Sequence, residues 1–482
     1  MIPDLAPAAK LDSYPYRHRL SDVMAQPPVT ADAGITLARA CGIMAETGAS
    51  SVLVLHPDGV LAGIVTETDA VARIALQGAA ALSLPLSEIM AAPAHSLEGD
   101  CFLYMALARM ERFAIRHMAV TDSAGRPIGV ITPRHLLKMR SRQAVMIGDE
   151  VAQARSAADL ARSRQALPGL AAELRQEAVP AITIAGVISG VVRDMTRRGA
   201  GLVEEQLAAD GWGPPPAPYA LLVLGSAGRG ESLLAFDQDN ALVHRGDAAA
   251  DPWFAEFGAR LNSLLDEAGI YLCKGDVMVR NPLWRRSLAS WREEIKSWVF
   301  QPQMETLLKV DIFFDMVFIH GDRALATELR TETLRMAGNS AFFQQLMEQN
   351  IARIGSPLGW FGRLSTQQGR LDAKKFGLLP LVSTARARAI GAGIEAVSTQ
   401  DRFRRLAEMG KLHPDDLASL LAAHETILGA LLDQQLSDIK AGYIPGTKIA
   451  PAALPTAQRN RVKRAFQRIK LLSAMQSTVM SV

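Results

Sequence analysis

The chain has 482 residues, 49% of them apolar and 21% charged, with a formal net charge of only +3. That balance fits ordinary globular protein, predicts about three domains at roughly 100–200 residues each, and gives no nucleic-acid-like charge excess. The three cysteines, Cys41, Cys101 and Cys273, form neither a paired framework nor a metal-binding spacing, which fits a reducing cytoplasm.

The first residues, MIPDLAPAAKLDSYPYRHRL, contain no apolar core of signal-peptide type. An internal repeat follows. A shift of 66 residues places Ser21-Asp22-Val23-Met24 on Ser87-Glu88-Ile89-Met90, Met44 on Met110, Gly59 on Gly125, and Gly63-Ile64-Val65-Thr66 on Gly129-Val130-Ile131-Thr132. Each copy predicts a helix (Leu37 to Glu46; Leu103 to Arg112), a β-rich run (Ser51 to Leu55; His117 to Val120), an Asp–Gly turn and a second strand. That strand ends in Thr66 or Thr132, at the N-cap of the next helix.

These residues resemble a cystathionine-β-synthase (CBS) domain pair over residues 15–140, with the signature complete in the first copy as Gly63-Ile64-Val65-Thr66-Glu67-Thr68-Asp69. The resemblance implies an adenosine nucleotide in the cleft between the copies, with Thr66 and Asp69 holding phosphate and ribose hydroxyls, Thr132 as the second-copy counterpart, and a homodimer. The second copy departs: Thr132-Pro133-Arg134-His135 puts His135 where the acid belongs. That half-site is expected to bind ribose poorly or through another contact. The alternative is a structural pair that only dimerises.

Residues 141–215 read as an Ala- and Arg-rich helical connector, with Leu160, Leu167, Leu170 and Leu174 at helical spacing and Pro168 and Pro180 as punctuation. The run AITIAGVISGVV at 181–192 is too short to span a bilayer and reads as a buried helix, with a membrane hairpin as a remote alternative. GWGPPPAPY at 211–219 marks a domain boundary.

Residues 219 to 224, YALLVL, predict a buried strand that ends in Gly225-Ser226. Ten residues separate Ser226 from Asp237, and Asp239 follows one residue on. Side chains alternate along a strand, so both aspartates are expected on one face, where two carboxylates suit a divalent cation. The Gly-Ser turn would offer backbone N–H groups and a hydroxyl to phosphates. Arg229 either neutralises phosphate or pairs with Glu231 or a surface acid. No Lys-Ser or Lys-Thr follows the glycines, which excludes a Walker A loop.

This pattern resembles the G-S-x(about ten)-D-x-D motif of the polymerase-β-like nucleotidyltransferases. The words GSAGRGE and DQDNAL are closest to the branch that resembles the N-terminal domain of bacterial PII-protein uridylyltransferase. Gln238 departs from the superfamily's usual apolar residue between the acids. The resemblance implies a third carboxylate. The run Val310 to Ile319 predicts a strand with Asp311 and Asp315 on one face; the branch's F-F-D wording points to Asp315, with Asp311 as runner-up. Arg280 and Asn281, in the word CKGDVMVRNPLW, are candidate nucleotide contacts or a structural turn before Pro282.

The expected fold class is multidomain α/β and α: a CBS pair, a nucleotidyltransferase domain with a mixed sheet at 216–335, and a helical bundle at 340–482 that resembles this branch's substrate-binding domain. The nine histidines include no His-Asp pair, so the hydrolase chemistry of the full uridylyltransferases is not expected. The resemblance implies a Mg²⁺-dependent enzyme. Asp237, Asp239 and Asp315 would hold the metal and carry catalysis, and Gly225, Ser226, Arg229, Arg280 and Asn281 would bind ATP or UTP. The acceptor would be the hydroxyl of a PII-like regulatory protein, with the CBS pair as adenylate sensor in a signalling role. No membrane and no nucleic acid are expected as partners. The alternative is a non-catalytic nucleotide sensor that keeps the fold as a scaffold.

Overall fold

The computed structural model describes residues 19–132, 147–302, 311–359 and 364–478. The chain forms two compact units, Met1–Gln143 and Ala144–Val482.

In the first unit each copy contributes a short strand, a helix and a hairpin: β1 (Thr30–Asp32), α1 (Leu37–Thr47), β2 (Ser51–Leu55), β3 (Leu61–Thr66) and α2 (Glu67–Gln77), then β4 (Ser96–Glu98), α3 (Leu103–Phe113), β5 (Met118–Thr121) and β6 (Pro127–Ile131). Both sheets have the same topology. The first strand runs parallel to the second, and the second is antiparallel to the third. The Asp–Gly turns work as expected, with Gly59 at φ 84 and Gly125 at φ 79, where glycine has no Cβ penalty.

The two copies exchange contacts. Ile64 trades two backbone hydrogen bonds with Ala91 (3.1 and 2.9 Å), and Val130 does the same with Ala25 (3.1 and 2.9 Å). Each third strand therefore pairs with the lead-in segment of the other copy. Leu53, Ile64, Ala119 and Val130, related by the same 66-residue offset, form the core between the sheets. The departure expected at His135 lies outside the described residues.

In the second unit the sheet order is β10-β7-β8-β9, from β7 (Tyr219–Val223), β8 (Asn240–His244), β9 (Arg285–Ser287) and β10 (Val317–Gly321). Strand β7 is antiparallel to both neighbours, while β8 and β9 are parallel. Alternation along β7 sorts its side chains into two cores: Leu221 and Val223 face one, Ala220 and Leu222 the other. The first core is covered by α4 (Ala157–Gln176) and α5 (Ala181–Ala209), which bury Leu160, Leu167, Ile184, Ile188 and Met195. The stretch read as a connector thus packs directly on the sheet. Glu204 of α5 accepts hydrogen bonds from the Tyr219 hydroxyl (2.6 Å) and from His320 (3.0 Å). Pro180 caps α5, whereas Pro168 lies within α4. No helix among the described residues is long and apolar enough to cross a membrane.

Between β7 and β8 a single turn, α6 (Gly225–Arg229), reverses the chain, and α7 (Asp251–Glu267) and α8 (Leu288–Phe300) complete the layers around the sheet. After β10 come α9 (Arg323–Gly338), α10 (Ala341–Ala352), a wide π turn at Lys374–Leu378, α11 (Leu379–Gly391), α12 (Thr399–Glu408), α13 (Pro414–Lys440) and α14 (Thr456–Thr478). The strand expected from Val310 to Ile319 is corrected. Asp311–Phe313 is helical, Phe314 and Asp315 turn, and the strand begins only at Val317. Backbone bonds Asp315 N to Ile312 O and Met316 N to Phe313 O, both 3.2 Å, make that turn. A short apolar run cannot by itself separate strand from buried helix.

Gly63 and Gly129 sit where the two copies meet. A Cβ at Gly63 would lie 2.6 Å from Sδ of Met90, and one at Gly129 would collide with Sδ of Met24. Gly63→Ala and Gly129→Ala are each expected to destabilise this unit by about 1–3 kcal/mol through overpacking. Gly34→Ala, which faces open space, is expected to cost far less. Urea unfolding of the full chain, followed by hydrogen exchange in β3 and β6, measures all three.

Candidate functional site

Strand β8 begins at Asn240, later than expected, but the segment before it is nearly strand-like. Asp237 makes a parallel bridge with Tyr271. Gln238, between the two acids, is buried and fully used: its amide donates to Asn262 O (2.9 Å) and Ile270 O (2.8 Å), and its Oε1 accepts from the Asn262 side chain (2.7 Å). Asn240 Oδ1 accepts from Val279 N at 2.8 Å. A polar residue at 238 is therefore a structural anchor that turns both neighbours the other way.

Asp237, Asp239 and Cys273 bring one ligand atom each within 4.8 Å of one another. Burial, followed by the charge of Asp237, pushes the Asp239 carboxyl up to about 7. Burial likewise pushes the Cys273 thiol up to about 11, with Asp239 adding to the effect. A cation would relieve both, so this donor set fits a divalent metal. Gly225, at φ 59, is required here: a Cβ on it would strike the Asp239 carboxylate.

Asp239 also lines a cavity of about 180 Å³ between the sheet and the C-terminal helices, together with Gly225, Ser226, Asp311, Lys374 and Arg386. Ser226 Oγ lies 3.1 Å from Ser232 Oγ. Arg229 lines the cavity too, but its guanidinium is committed, with Nε donating to Glu231 (2.7 Å) and Nη1 to Asp315 (2.5 Å).

Asp315, expected as the third carboxylate, is not placed by the structure on the cavity beside Asp239. It is fully buried, is not among the cavity-lining residues, and meets three arginines: Arg229, Arg386 (2.5 Å) and Arg402 (2.8 Å). The runner-up, Asp311, does line the cavity, paired with Arg386 at 2.5 Å and accepting from the Ser383 hydroxyl at 2.7 Å. The reason is the helical turn at Asp311–Phe313, which breaks the one-face geometry of a strand.

Arg280 and Asn281 are not among the cavity-lining residues either. Arg280 pairs with Asp276 (3.0 Å), while Asn281 donates to Asp276 O (3.0 Å) and accepts from Leu283 N (3.0 Å). Both shape the turn before Pro282. In the other unit, Thr66 and Asp69 form a reciprocal cap, with the Thr66 hydroxyl 2.7 Å and its N–H 2.8 Å from Asp69 Oδ2. Thr132 is buried. Sequence reasoning missed Cys273 as a neighbour of the acids, and Lys374, Arg386, Arg402 and His424 altogether. The word CKGDVM did flag the segment that carries Cys273.

Family profiles agree with this arrangement. Residues 20–76 and 86–142 each match the CBS domain. Residues 165–305 match the family described as "Putative nucleotidyltransferase DUF294", and 340–479 match its "Putative nucleotidyltransferase substrate binding domain". The chain is a CBS domain pair joined to a DUF294 nucleotidyltransferase domain and its C-terminal substrate-binding domain. The DUF294 match begins inside α4, consistent with α4 and α5 packing on the sheet.

An uncharacterised protein of Methanopyrus kandleri is 28% identical over 108 residues, 22% of this chain and 55% of that protein. The chain thus spans about half the length of the curated relative it matches. Among solved structures, a CBS-domain protein of Agrobacterium tumefaciens is 27% identical, covering 25% of this chain and 98% of its own, with a TM-score of 0.24. A CBS-domain protein of Pyrobaculum aerophilum, complexed with AMP, is 22% identical, covering 26% and 99%, also at 0.24.

Asp315 generates a stability prediction for the DUF294 chain. Burial alone would raise its pKa, but Arg386, Arg229 and Arg402 outweigh burial and hold the carboxyl well below the usual carboxylate range. A depressed folded-state pKa gives stability that is fully present above the unfolded pKa of about 4 and is lost as pH falls toward the folded value. Asp315→Asn leaves buried arginines under-compensated and is expected to cost about 3–5 kcal/mol at neutral pH. Urea titrations between pH 7 and pH 3 are expected to show a shallower acid slope in the variant than in the wild type.

Proposed function

We propose that this chain is a metal-dependent nucleotidyltransferase that moves a nucleoside monophosphate from ATP or UTP onto an acceptor hydroxyl. The observation that carries the reading is the convergence of Asp237 and Asp239 beside a cavity lined by Gly225, Ser226, Lys374 and Asp311. A divalent ion, Mg²⁺ by family resemblance, would be held by the carboxylates of Asp237 and Asp239; when bound it would supply Lewis-acid polarisation of the phosphoryl oxygens.

The protein's own groups do the rest. Lys374 draws the triphosphate toward the cavity by charge, and Ser226 offers a hydroxyl to it. The missing side chain at Gly225 lets the phosphates come close to Asp239. Asp311, in place of Asp315, accepts the proton of the acceptor hydroxyl as its oxygen bonds to the α-phosphorus; the bond to pyrophosphate breaks in line and pyrophosphate leaves. Arg386 holds Asp311 in place.

The acceptor in this reading is a protein hydroxyl, on a PII-like regulator. What supports it is the resemblance of the words GSAGRGE and DQDNAL to the uridylyltransferase branch. The CBS pair would take an adenosine nucleotide at Thr66 and Asp69 and bias transfer, with coupling of about 1–3 kcal/mol. The helix-capping position of Thr66 and the carboxylate of Asp69 suit phosphate and ribose respectively.

Incubation with labelled ATP or UTP, Mg²⁺ and cell lysate is expected to label a specific protein. Asp237→Asn and Asp239→Asn are expected to abolish the label, and Asp311→Asn to slow it about 100-fold or more, with urea unfolding of each variant separating lost chemistry from the destabilisation expected when Arg386 loses a buried partner. Nucleotide binding without transfer, indifferent to Asp237→Asn, would instead favour a non-catalytic sensor. Calorimetric titration with AMP and ATP tests the CBS pair separately; Asp69→Ala is expected to weaken that binding and leave basal transfer intact.

A further inference from the structure

The cavity beside Asp239 is lined by charged groups, among them Asp311, Lys374 and Arg386, and by hydrocarbon from Leu378, Val382, Leu428 and Leu431. His424 lines it too, within reach of the charges of Glu231 and Arg229. On α13, residues 424, 428, 431 and 435 are spaced i, i+4, i+7, i+11, so one helix face supplies all four to the cavity.

Gln435 on this face is fixed, its Oε1 accepting from Leu234 N (2.8 Å) and its amide donating to Gly446 O (2.9 Å). His424 is not. It is only 1% exposed, and among the described residues neither Nδ1 nor Nε2 has a hydrogen-bond partner. Such an orphaned pair is unfavourable in a folded interior and is rarely retained without use. Burial keeps the imidazole neutral, so it presents one donor and one acceptor. Both nitrogens are covered by neighbouring atoms, so a flat ring with adjacent donor and acceptor groups would satisfy them once the aliphatic side chains around them part to admit it.

We propose that His424 reads the nucleobase of the incoming nucleoside triphosphate and sets the base preference of the enzyme. The inference rests on the nucleotidyltransferase reading, which places the triphosphate near Gly225, Ser226 and Lys374 and leaves the hydrocarbon of Val382, Leu428 and Leu431 for the base. Its role is specificity. Glu231, adjacent through its charge and anchored by Arg229 and Thr399 N (2.7 Å), stays with those partners.

The test is calorimetric titration of the full chain, in Mg²⁺, with the non-transferable α,β-methylene analogues of ATP, GTP, CTP and UTP and with inorganic tripolyphosphate. The wild type is expected to bind at least one analogue more tightly than tripolyphosphate and to separate the bases. His424→Ala is expected to lower the favoured analogue's affinity about tenfold, the scale of a hydrogen bond lost from a buried site, and to leave tripolyphosphate binding unchanged. His424→Gln keeps a donor and an acceptor and is expected to retain part of the preference with an altered base order. Equal weakening of tripolyphosphate and nucleotide, or unchanged base discrimination in both variants, overturns the proposal and leaves the transferase reading standing. Failure of the wild type to bind either tripolyphosphate or any analogue overturns both.

Discussion

A single carboxylate, Asp315, sits at zero exposure among three arginines from three different segments. Arg229 comes from the turn after β7, Arg386 from α11 and Arg402 from α12. Asp315 itself ends the loop that leads into β10. Taking these charges out of water is costly unless every partner is in place, so the cluster is all-or-nothing. It ties α11 and α12 to the turns after β7 and before β10 in one arrangement. The cavity exists because that arrangement leaves a gap between them.

The same cluster sorts the acids of the site by role. Asp311 and Asp315 lie four residues apart and share Arg386, yet one opens on the cavity and the other is enclosed. Asp237 and Asp239 lie outside the cluster, and Asp239 pays the cost of burial beside a like charge. Asp315 is fully compensated by guanidinium groups, whereas Asp237 and Asp239 face one another without that compensation. The division follows from counting guanidinium groups, with no reference to fold family.

Much of this was legible in the sequence, where the determinants are local or periodic. The 66-residue offset announced two equivalent sheets because the contacts between the copies obey the same offset. The Gly-Ser turn and the paired aspartates were legible because alternation along an extended chain carries side chains to one side. The surroundings of Asp315 were not legible because FFDMVF reads equally as strand or as helix end, and its partners lie 71 to 87 residues away. His424 was hidden for another reason: a histidine among leucines on a long helix looks like core, and only the three-dimensional structure shows that its nitrogens have no hydrogen-bond partner among the described residues. The connector at 141–215 misled because amphipathic spacing shows that a helix is covered, not what covers it.

The crossed strand pairing of the CBS copies has a consequence for how such a module can be assembled. Neither copy closes its own third strand; Ile64 and Val130 each depend on the other's lead-in residues. A solitary copy would carry a bare β-edge and half a core, and would complete itself only by embracing a twin in the same crosswise manner. The folding unit is therefore the couple, each copy finishing the other's outer strand.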